Sequence, residues 1–215
     1  MTESDDDEPQ LSQTTLAALH EFYKEREESE NQLNKTLIEP GKSTDVTFEE
    51  NWQLSQFWYD EQTVEAFTKG AIKSTPPDGK IALISCPTLY KSLRKEAGDR
   101  TVTLFEYDQR FSAFGKDYVF YDYKSPLLVP RNMSGDFDLV IADPPFLSEE
   151  CLTKTSVTIK FLAKNKYVVA TGAVMADLVE RLLGAKKCTF VPHHRNNLAN
   201  EFWCYANFEF DDALK

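Results

Sequence analysis

The residues with the clearest potential for chemistry are Asp143, Pro144, Pro145 and Phe146, which follow the apolar run "FDLVIA" at residues 137–142. The run is typical of a buried strand, and an acid followed by prolines is a common way for a strand to end. The same residues would also hold a carboxylate beside an aromatic ring on a rigid backbone, because proline fixes its own φ. The stretch is therefore either an ordinary turn or a catalytic corner.

Polar and aromatic residues also stand where other predicted strands end. In an open α/β sheet, ligands bind beyond the carboxyl ends of the strands, near the point where the strand order reverses, and an acid past the second strand often binds a ribose. Acids close the second, third and fourth predicted strands. Each acid alone would suit a turn, but together, beside aromatic residues, they predict a nucleoside site. The residues expected there are Ser85, Cys86, Pro87, Glu106, Tyr107, Asp108, Asp122 and Tyr123.

The elements that would position these residues alternate between strands and helices. Strands are predicted at residues 80–86, 101–108, 117–123, 137–145, 166–172, 186–192 and 201–210. Helices are predicted in the second part of residues 51–72 and at 87–98, 148–163 and 173–184. Several strands are apolar throughout, which is typical of strands covered on both faces. The pattern predicts a doubly wound α/β fold with a mainly parallel seven-stranded sheet that ends in an antiparallel hairpin.

The chain divides by composition into an acidic tail at residues 1–45, with a short helix and a linker, and a domain at residues 46–215. Residues 1–30 carry ten acids against two bases, a large part of the formal net charge of −11. This balance suits a basic protein partner better than nucleic acid, whose binding depends largely on Lys and Arg. With no apolar run long enough for a membrane and no leader-like start, a cytoplasmic protein is expected.

The composition and the first turn narrow the choice of cofactor. Four scattered cysteines and three histidines offer neither a disulfide framework nor a zinc site, so no metal is expected. The turn after the first strand, "SCPTLY" at residues 85–90, contains no glycine. NAD and FAD are not expected, since their pyrophosphate needs close backbone approach at this turn. A nucleoside without phosphates, such as S-adenosylmethionine, tolerates a less open turn.

Four strings carry a resemblance to a known family. "DPPF" after the fourth strand resembles the [DNS]-PP-[YFW] signature of class I S-adenosylmethionine-dependent methyltransferases that act on nitrogen. The chain is similar to these enzymes over residues 51–210. More specifically, it resembles the eukaryotic family once labelled N6-adenine methyltransferases and now assigned as lysine methyltransferases of translation elongation factor 1-alpha. The strings are "EENWQLSQFWY" (49–59), "FEYDQRF" (105–111), "DPPFLSEECL" (143–152) and "RNNLANEF" (195–202).

The resemblance implies roles for the residues at the predicted site. Asp143 to Phe146 would orient the target nitrogen, Glu106 and Asp108 would bind the ribose hydroxyls, and Asp122 would lie nearer the adenine. Trp58 and Tyr59 would lie near the cofactor or the target nitrogen, whereas Trp52 and Phe57 are expected to pack against the sheet. Asn200 and Glu201 would border the target channel or form a plain turn. His193 and His194 are expected at the surface.

The implied enzyme is a monomeric protein-lysine N-methyltransferase that uses S-adenosylmethionine and acts on elongation factor 1-alpha. Two alternatives stay open at this point. The same motif suits an N6-adenine methyltransferase acting on DNA or RNA, which would need a continuous basic groove around Phe146. A methyltransferase-like binding module without catalysis is the other alternative. The acidic charge favours a protein substrate.

Overall fold

The structure, a computed structural model, describes residues 48–196 and 200–215, so the predicted tail with its helix and linker lies outside the described residues. The strands in this part are β1 Lys80–Ile84, β2 Thr101–Glu106, β3 Tyr118–Phe120, β4 Phe137–Ala142, β5 Ala163–Gly172, β6 Lys186–Lys187 and β7 Phe202–Ala206. The α-helices are α1 Glu61–Ser74, α2 Tyr90–Glu96, α3 Glu149–Leu162, α4 Ala176–Leu183 and α5 Phe210–Leu214. Within residues 48–196 and 200–215, no helix is long and apolar enough to cross a membrane.

The strands form one sheet in the order β3-β2-β1-β4-β5-β7-β6. Strands β1 to β5 run parallel to one another, and β7 runs antiparallel to both β5 and β6. The fold prediction is thus confirmed, including the antiparallel end. The strand order reverses between β1 and β4, which places the binding crevice beyond the carboxyl ends of these two strands.

Hydrophobic cores lie on both faces of the sheet, which explains the unbroken apolar strands. In β1, Ile81 and Leu83 belong to the core that includes Phe67 of α1, whereas Ala82 and Ile84 belong to the core that includes Leu152 of α3. Successive strand residues point to opposite faces, so a strand covered on both sides must be apolar at every position.

Two helix caps fix the chain on either side of the predicted site. The Asp60 carboxylate accepts a hydrogen bond from Thr63 N at 2.7 Å at the start of α1. Ser148 Oγ accepts one from Cys151 N at 3.2 Å at the start of α3, just after the double proline. Such caps satisfy backbone donors that the first turn of a helix leaves free. Tyr59 therefore lies just before the capped start of α1, and the Asp143–Phe146 stretch lies just before the capped start of α3.

Three regions differ from the sequence prediction. A 3₁₀ segment at Gln109–Asp117 was not predicted; the Asp108 side chain starts it by accepting from Arg110 N at 2.9 Å. Strand β6 stops after two residues, because the Asp211 carboxylate accepts from Thr189 N and Phe190 N and replaces the ladder there. The predicted last strand, residues 201–210, ends at Ala206, and the chain finishes as helix α5.

Candidate active site

Asp143 lies directly beyond β4, beside the end of β1. Its backbone N donates to Ile84 O at 2.9 Å, which extends the pairing of the two strands. The Tyr59 hydroxyl donates to Asp143 Oδ2 at 2.6 Å. Burial raises the pKa of Asp143 to about 7, against the opposing effect of the Tyr59 hydrogen bond, and the nearby Glu106 charge raises it further. Asp143 can thus change protonation near neutral pH, which is common among catalytic acids and bases.

Two adjoining cavities open at this end of the sheet. The Asp143 cavity has a volume of about 300 Å³, and the Glu106 cavity has a volume of about 260 Å³. Each cavity takes its name from an acid in its lining. Their common lining shows that the two cavities are adjacent and share one wall. The residues that line both cavities are Ser55, Gln56, Ser85, Pro145 and Phe146.

Aromatic rings surround Asp143 in its cavity. The Trp58 side chain is 8% exposed, and Phe146 is 41% exposed, so one ring forms a buried wall and the other the open side. His194 packs against Tyr59 with the two rings tilted by 35° and their centroids 4.9 Å apart, and burial lowers its pKa to about 4, so the imidazole is neutral at pH 7. The remaining lining residues are Phe57, Cys86, Pro87, Thr88, Pro144, Leu147, Asn200 and Phe202.

The Glu106 cavity combines a buried acid with aromatic rings. Glu106 is 5% exposed, and burial raises its pKa to about 7, although a hydrogen bond from Asp108 N at 3.1 Å lowers it. A carboxyl in this state can accept hydrogen bonds from hydroxyl groups, as a ribose requires. The other residues lining this cavity are Leu54, Tyr107, Tyr121, Asp122, Tyr123 and Lys124.

Asp108 does not line either cavity, contrary to the place expected for it. Its Oδ2 accepts from Gln56 Nε2 at 3.1 Å and from Arg110 Nε at 2.8 Å. Arg110 Nη2 in turn donates to Gln56 Oε1 at 3.1 Å. The three side chains form a closed network that fixes Gln56 in the wall between the cavities. Sequence reasoning missed Gln56, because an isolated glutamine gives no signal of such a partnership.

The leading segment, residues 48–60, is held in place by residues 193–195. Asp60 N donates to His193 O at 3.0 Å, and Arg195 N donates to Trp58 O at 2.8 Å. Tyr59 and His194 form the isolated bridge between these two bonds. This short antiparallel pairing sets Trp58 in the wall of the Asp143 cavity and places Tyr59 beside Asp143. No sequence signal linked the two segments, since more than 130 residues separate them.

Two serines take a backbone conformation that usually requires glycine. Ser55 has φ 54° and Ser85 has φ 55°, and they are the non-glycine residues with positive φ in the described part of the chain. Both line both cavities. A non-glycine residue in this region costs about 1–3 kcal/mol, and such strain concentrates at functional sites. Ser85 makes the turn after β1 in this left-handed conformation, which is why the turn contains no glycine.

The structure brings most of the expected residues together. Among the predicted substrate-binding residues, Trp58 and Asn200 line the Asp143 cavity. Tyr59 is 1% exposed and reaches the cavity only through Asp143. Glu201 is exposed and bonded to Trp203 Nε1 at 2.6 Å, outside both cavities.

Three minor predictions were wrong. Trp52 is 69% exposed instead of packed against the sheet. Phe57 lines the Asp143 cavity, and His194 does so as well instead of lying at the surface.

Cys86 and the other three cysteines are free and buried. Among the residues that the structure describes, no cluster of His, Cys, Asp or Glu could hold a metal ion.

Comparison with known proteins identifies several relatives. The family described as "Probable N6-adenine methyltransferase" matches residues 50–210. A Mus musculus protein named "EEF1A lysine methyltransferase 1" is 48% identical over 212 residues, 97% of each chain. A Gallus gallus protein of the same name is 47% identical over 210 residues, which covers 97% of this chain and 98% of its own.

One solved structure shares the fold at low sequence identity. It is the branched-chain polyamine synthase from Thermus thermophilus, in complex with N4-aminopropylspermidine and 5'-methylthioadenosine. The TM-score is 0.53 at 11% identity, over 74% of this chain and 59% of that chain. This likeness concerns the fold alone.

Proposed function

We propose that this chain, which belongs to the family described as probable N6-adenine methyltransferase, transfers methyl groups from S-adenosylmethionine to a lysine of translation elongation factor 1-alpha. Relatives named as lysine methyltransferases of this factor match nearly the whole chain. The structural observation that carries the proposal is the shared wall of the two cavities. There, a cavity suited to a nucleoside adjoins an aromatic cavity that contains an acid able to orient an amine.

The Glu106 cavity fits the nucleoside part of S-adenosylmethionine. This cofactor supplies an electrophilic methyl group on a positively charged sulfur. Glu106 would accept hydrogen bonds from its ribose hydroxyls, and Asp122 with the rings of Tyr107 and Tyr123 would border the adenine. The turn at Ser85 needs no glycine for this ligand, because no pyrophosphate has to approach the backbone.

The Asp143 cavity suits a lysine side chain. Lysine has a pKa of about 10.4, so its neutral, reactive form costs about 4 kcal/mol at pH 7.4. Burial among Trp58, Phe146 and neutral His194 would lower that pKa, whereas an ionised Asp143 would raise it. Asp143 therefore serves first to orient the nitrogen, whose lone pair must point at the methyl carbon. The ring of Phe146 adds a cation–π attraction of about 0.5–2 kcal/mol for a methylated ammonium.

The charges in the cavities disfavour a nucleic-acid substrate. Glu106, Asp122 and Asp143 line them, against the single permanent cation Lys124 among the lining residues. A phosphate backbone needs neutralising Lys and Arg contacts, so a polyanion would meet repulsion at this opening. An adenine of DNA or RNA is thus the less favoured target, although the family description names it.

A competition between substrates tests this proposal. The protein is incubated with radiolabelled S-adenosylmethionine, purified elongation factor 1-alpha and an equal mass of adenine-containing DNA and RNA. We expect nuclease-resistant label on the elongation factor, and none on a factor whose lysines were blocked beforehand by exhaustive acetylation, which leaves no nucleophilic amine. Label that disappears with nuclease, or that persists on the blocked factor, would contradict a lysine target.

The proposed enzyme works in the cytoplasm as a monomer. Free, buried cysteines suit a reducing compartment, and each described cavity is complete within one chain. Sedimentation of the purified protein should give the mass of one chain, and a fluorescent fusion should distribute through the cytoplasm. A stable dimer or an organelle pattern would contradict this part of the proposal.

A further inference from the structure

Tyr59 combines complete burial with a short hydrogen bond to the acid of the site. Its side chain is 1% exposed, and its ring packs against Phe67 and His194 at centroid distances of 5.5 and 4.9 Å. The hydroxyl donates to Asp143 Oδ2 at 2.6 Å. The pairing of residues 58–60 with residues 193–195 fixes the backbone on both sides of this ring. The tyrosine therefore has little freedom to turn away from the carboxylate.

The direction of this hydrogen bond has a chemical consequence. Burial and the adjacent Asp143 charge raise the pKa of Tyr59 well above its usual value, so the hydroxyl stays protonated and can only donate to the carboxylate. A carboxylate oxygen that already accepts a short charge-assisted bond has one lone pair fewer to offer a second donor than the free oxygen has. The other oxygen, Oδ1, is then the acceptor that Asp143 can offer to a ligand in the cavity.

We propose that Tyr59 is a positioning residue that occupies Oδ2 of Asp143, favours the ionised carboxylate and reserves Oδ1 for the target amine. The inference rests on the proposed methyl transfer. It assigns to Tyr59 a role through Asp143 instead of direct contact with substrate. A chain without this hydroxyl would retain both cavities but would hold Asp143 in the neutral form up to a higher pH.

Several other titratable groups lie close to Asp143 and can influence its ionisation, so a test of Tyr59 must leave them unchanged. Each comes from a different element packed around the carboxylate. Removing only the Tyr59 hydroxyl leaves all of them in place. They are Cys86 after β1, Glu106 at the end of β2, Cys151 on α3 and His194 before β7.

The test compares Tyr59→Phe with wild type across pH 6–9, using elongation factor 1-alpha as substrate at saturating S-adenosylmethionine. The substrate lysine titrates in the same way in both reactions, so its effect on the rate cancels when one rate is divided by the other. A hydrogen bond to a charged group is worth enough to move the pKa of Asp143 up by about one unit. We expect the ratio of the wild-type rate to the Tyr59→Phe rate to be about ten times larger at pH 6 than at pH 9.

The control is Tyr205→Phe, which removes another buried tyrosine hydroxyl. Tyr205 is 2% exposed, and its hydroxyl has no hydrogen-bond partner among the described residues. The ratio of the wild-type rate to the Tyr205→Phe rate should be the same at every pH. The Asp143→Asn background supplies a second control, because the amide does not titrate there and the pH dependence of the Tyr59→Phe effect should vanish.

The outcomes separate this inference from the proposed function. A Tyr59→Phe ratio that is constant across pH, with an active wild type, would overturn the inference and leave lysine methylation intact. A wild type that does not label the elongation factor would instead refute the function. If Tyr59→Phe is inactive, titration of its Asp143 carboxyl by ¹³C NMR decides the matter. A pKa above the wild-type value supports the role of Tyr59, and an unchanged value refutes it.

Discussion

An aspartate lies near each end of strand β4, Asp138 within it and Asp143 directly after it, and the two aspartates have opposite electrostatic environments. At the start of the strand, Asp138 accepts from Lys164 Nζ at 2.8 Å and from Lys80 N at 2.8 Å. Burial alone would raise the pKa of Asp138, but these bonds outweigh it and lower the pKa. Five residues later, Asp143 accepts from an uncharged tyrosine, and burial raises its pKa to about 7.

The same contrast extends across the sheet. At the amino end, Asp136 forms an ion pair with Lys80 at 2.8 Å. At the carboxyl end, Glu106 is buried with an amide donor, and its pKa is raised to about 7. Ionised Asp138 therefore stabilises the fold, whereas Glu106 and Asp143 destabilise it when they ionise. Such a cost is expected where a site must exchange protons or bind polar ligands.

The largest effect should come from Asp143→Ala. Removing the acceptor that orients the target nitrogen should lower the rate of methyl transfer about 100-fold or more, because a small misplacement of the reacting atoms can cost about that much. Initial rates on elongation factor 1-alpha measure this effect. The matched control is Asp138→Ala, which removes an acid from the same strand and should leave the rate within about twofold. Equal losses in both variants would show that the two ends of β4 do not differ in function.

Glu106→Gln should separate binding from stability. A folded pKa of about 7, raised from 4.5, means that Glu106 lowers the stability progressively as the pH rises from 4.5 to about 7, and that the full cost is present above pH 7. The neutral glutamine should therefore stabilise the protein at pH 8 by up to about 3 kcal/mol, and give no gain below pH 4.5. The affinity for S-adenosylmethionine should fall about tenfold, since a charged acceptor is lost. Thermal melts at both pH values and calorimetric titration of the cofactor check the two parts; a lower melting temperature at pH 8 would contradict the first.

Asp138→Ala should have the smallest effect, confined to stability. Because the pKa of Asp138 is lowered on folding, its contribution is present above its usual value of 3.8 and is lost as the pH falls. We expect a loss of about 1 kcal/mol at pH 7, typical of a partly exposed charged pair. Urea unfolding at pH 7 and pH 3 measures it. A loss that is equally large at pH 3 would point to packing instead of charge.

Much of the fold and part of the site could be predicted from the sequence. The unbroken apolar runs of β1 and β4 placed the parallel strands, and the acids that close the second, third and fourth strands marked the carboxyl end of the sheet. This rule needs only strand ends, so it reached Glu106 and Asp143 without any tertiary information. The resemblance added Trp58, which periodicity alone assigns to packing.

The remaining features depend on contacts between distant segments. Asp108 was expected at the ribose but is bonded to Gln56 and Arg110, because a carboxylate takes the nearest donors that the fold supplies. The bridge between Tyr59 and His194 joins segments with no shared pattern. Strand β6 also ends earlier than predicted, because the Asp211 side chain accepts the hydrogen bonds of the backbone N–H groups that follow it.

The most direct test of the contrast within β4 is a titration of both aspartates in one protein sample. Selective ¹³C labelling of aspartate carboxyls, with single Asp→Asn variants for assignment, would follow Asp138 and Asp143 between pH 2 and pH 9. The structure predicts that Asp143 titrates near pH 7 and that Asp138 titrates below 3.8. Titration of both carboxyls near pH 4 would show that the carboxyl end of the sheet does not hold Asp143 in an unusual state, and would contradict the account.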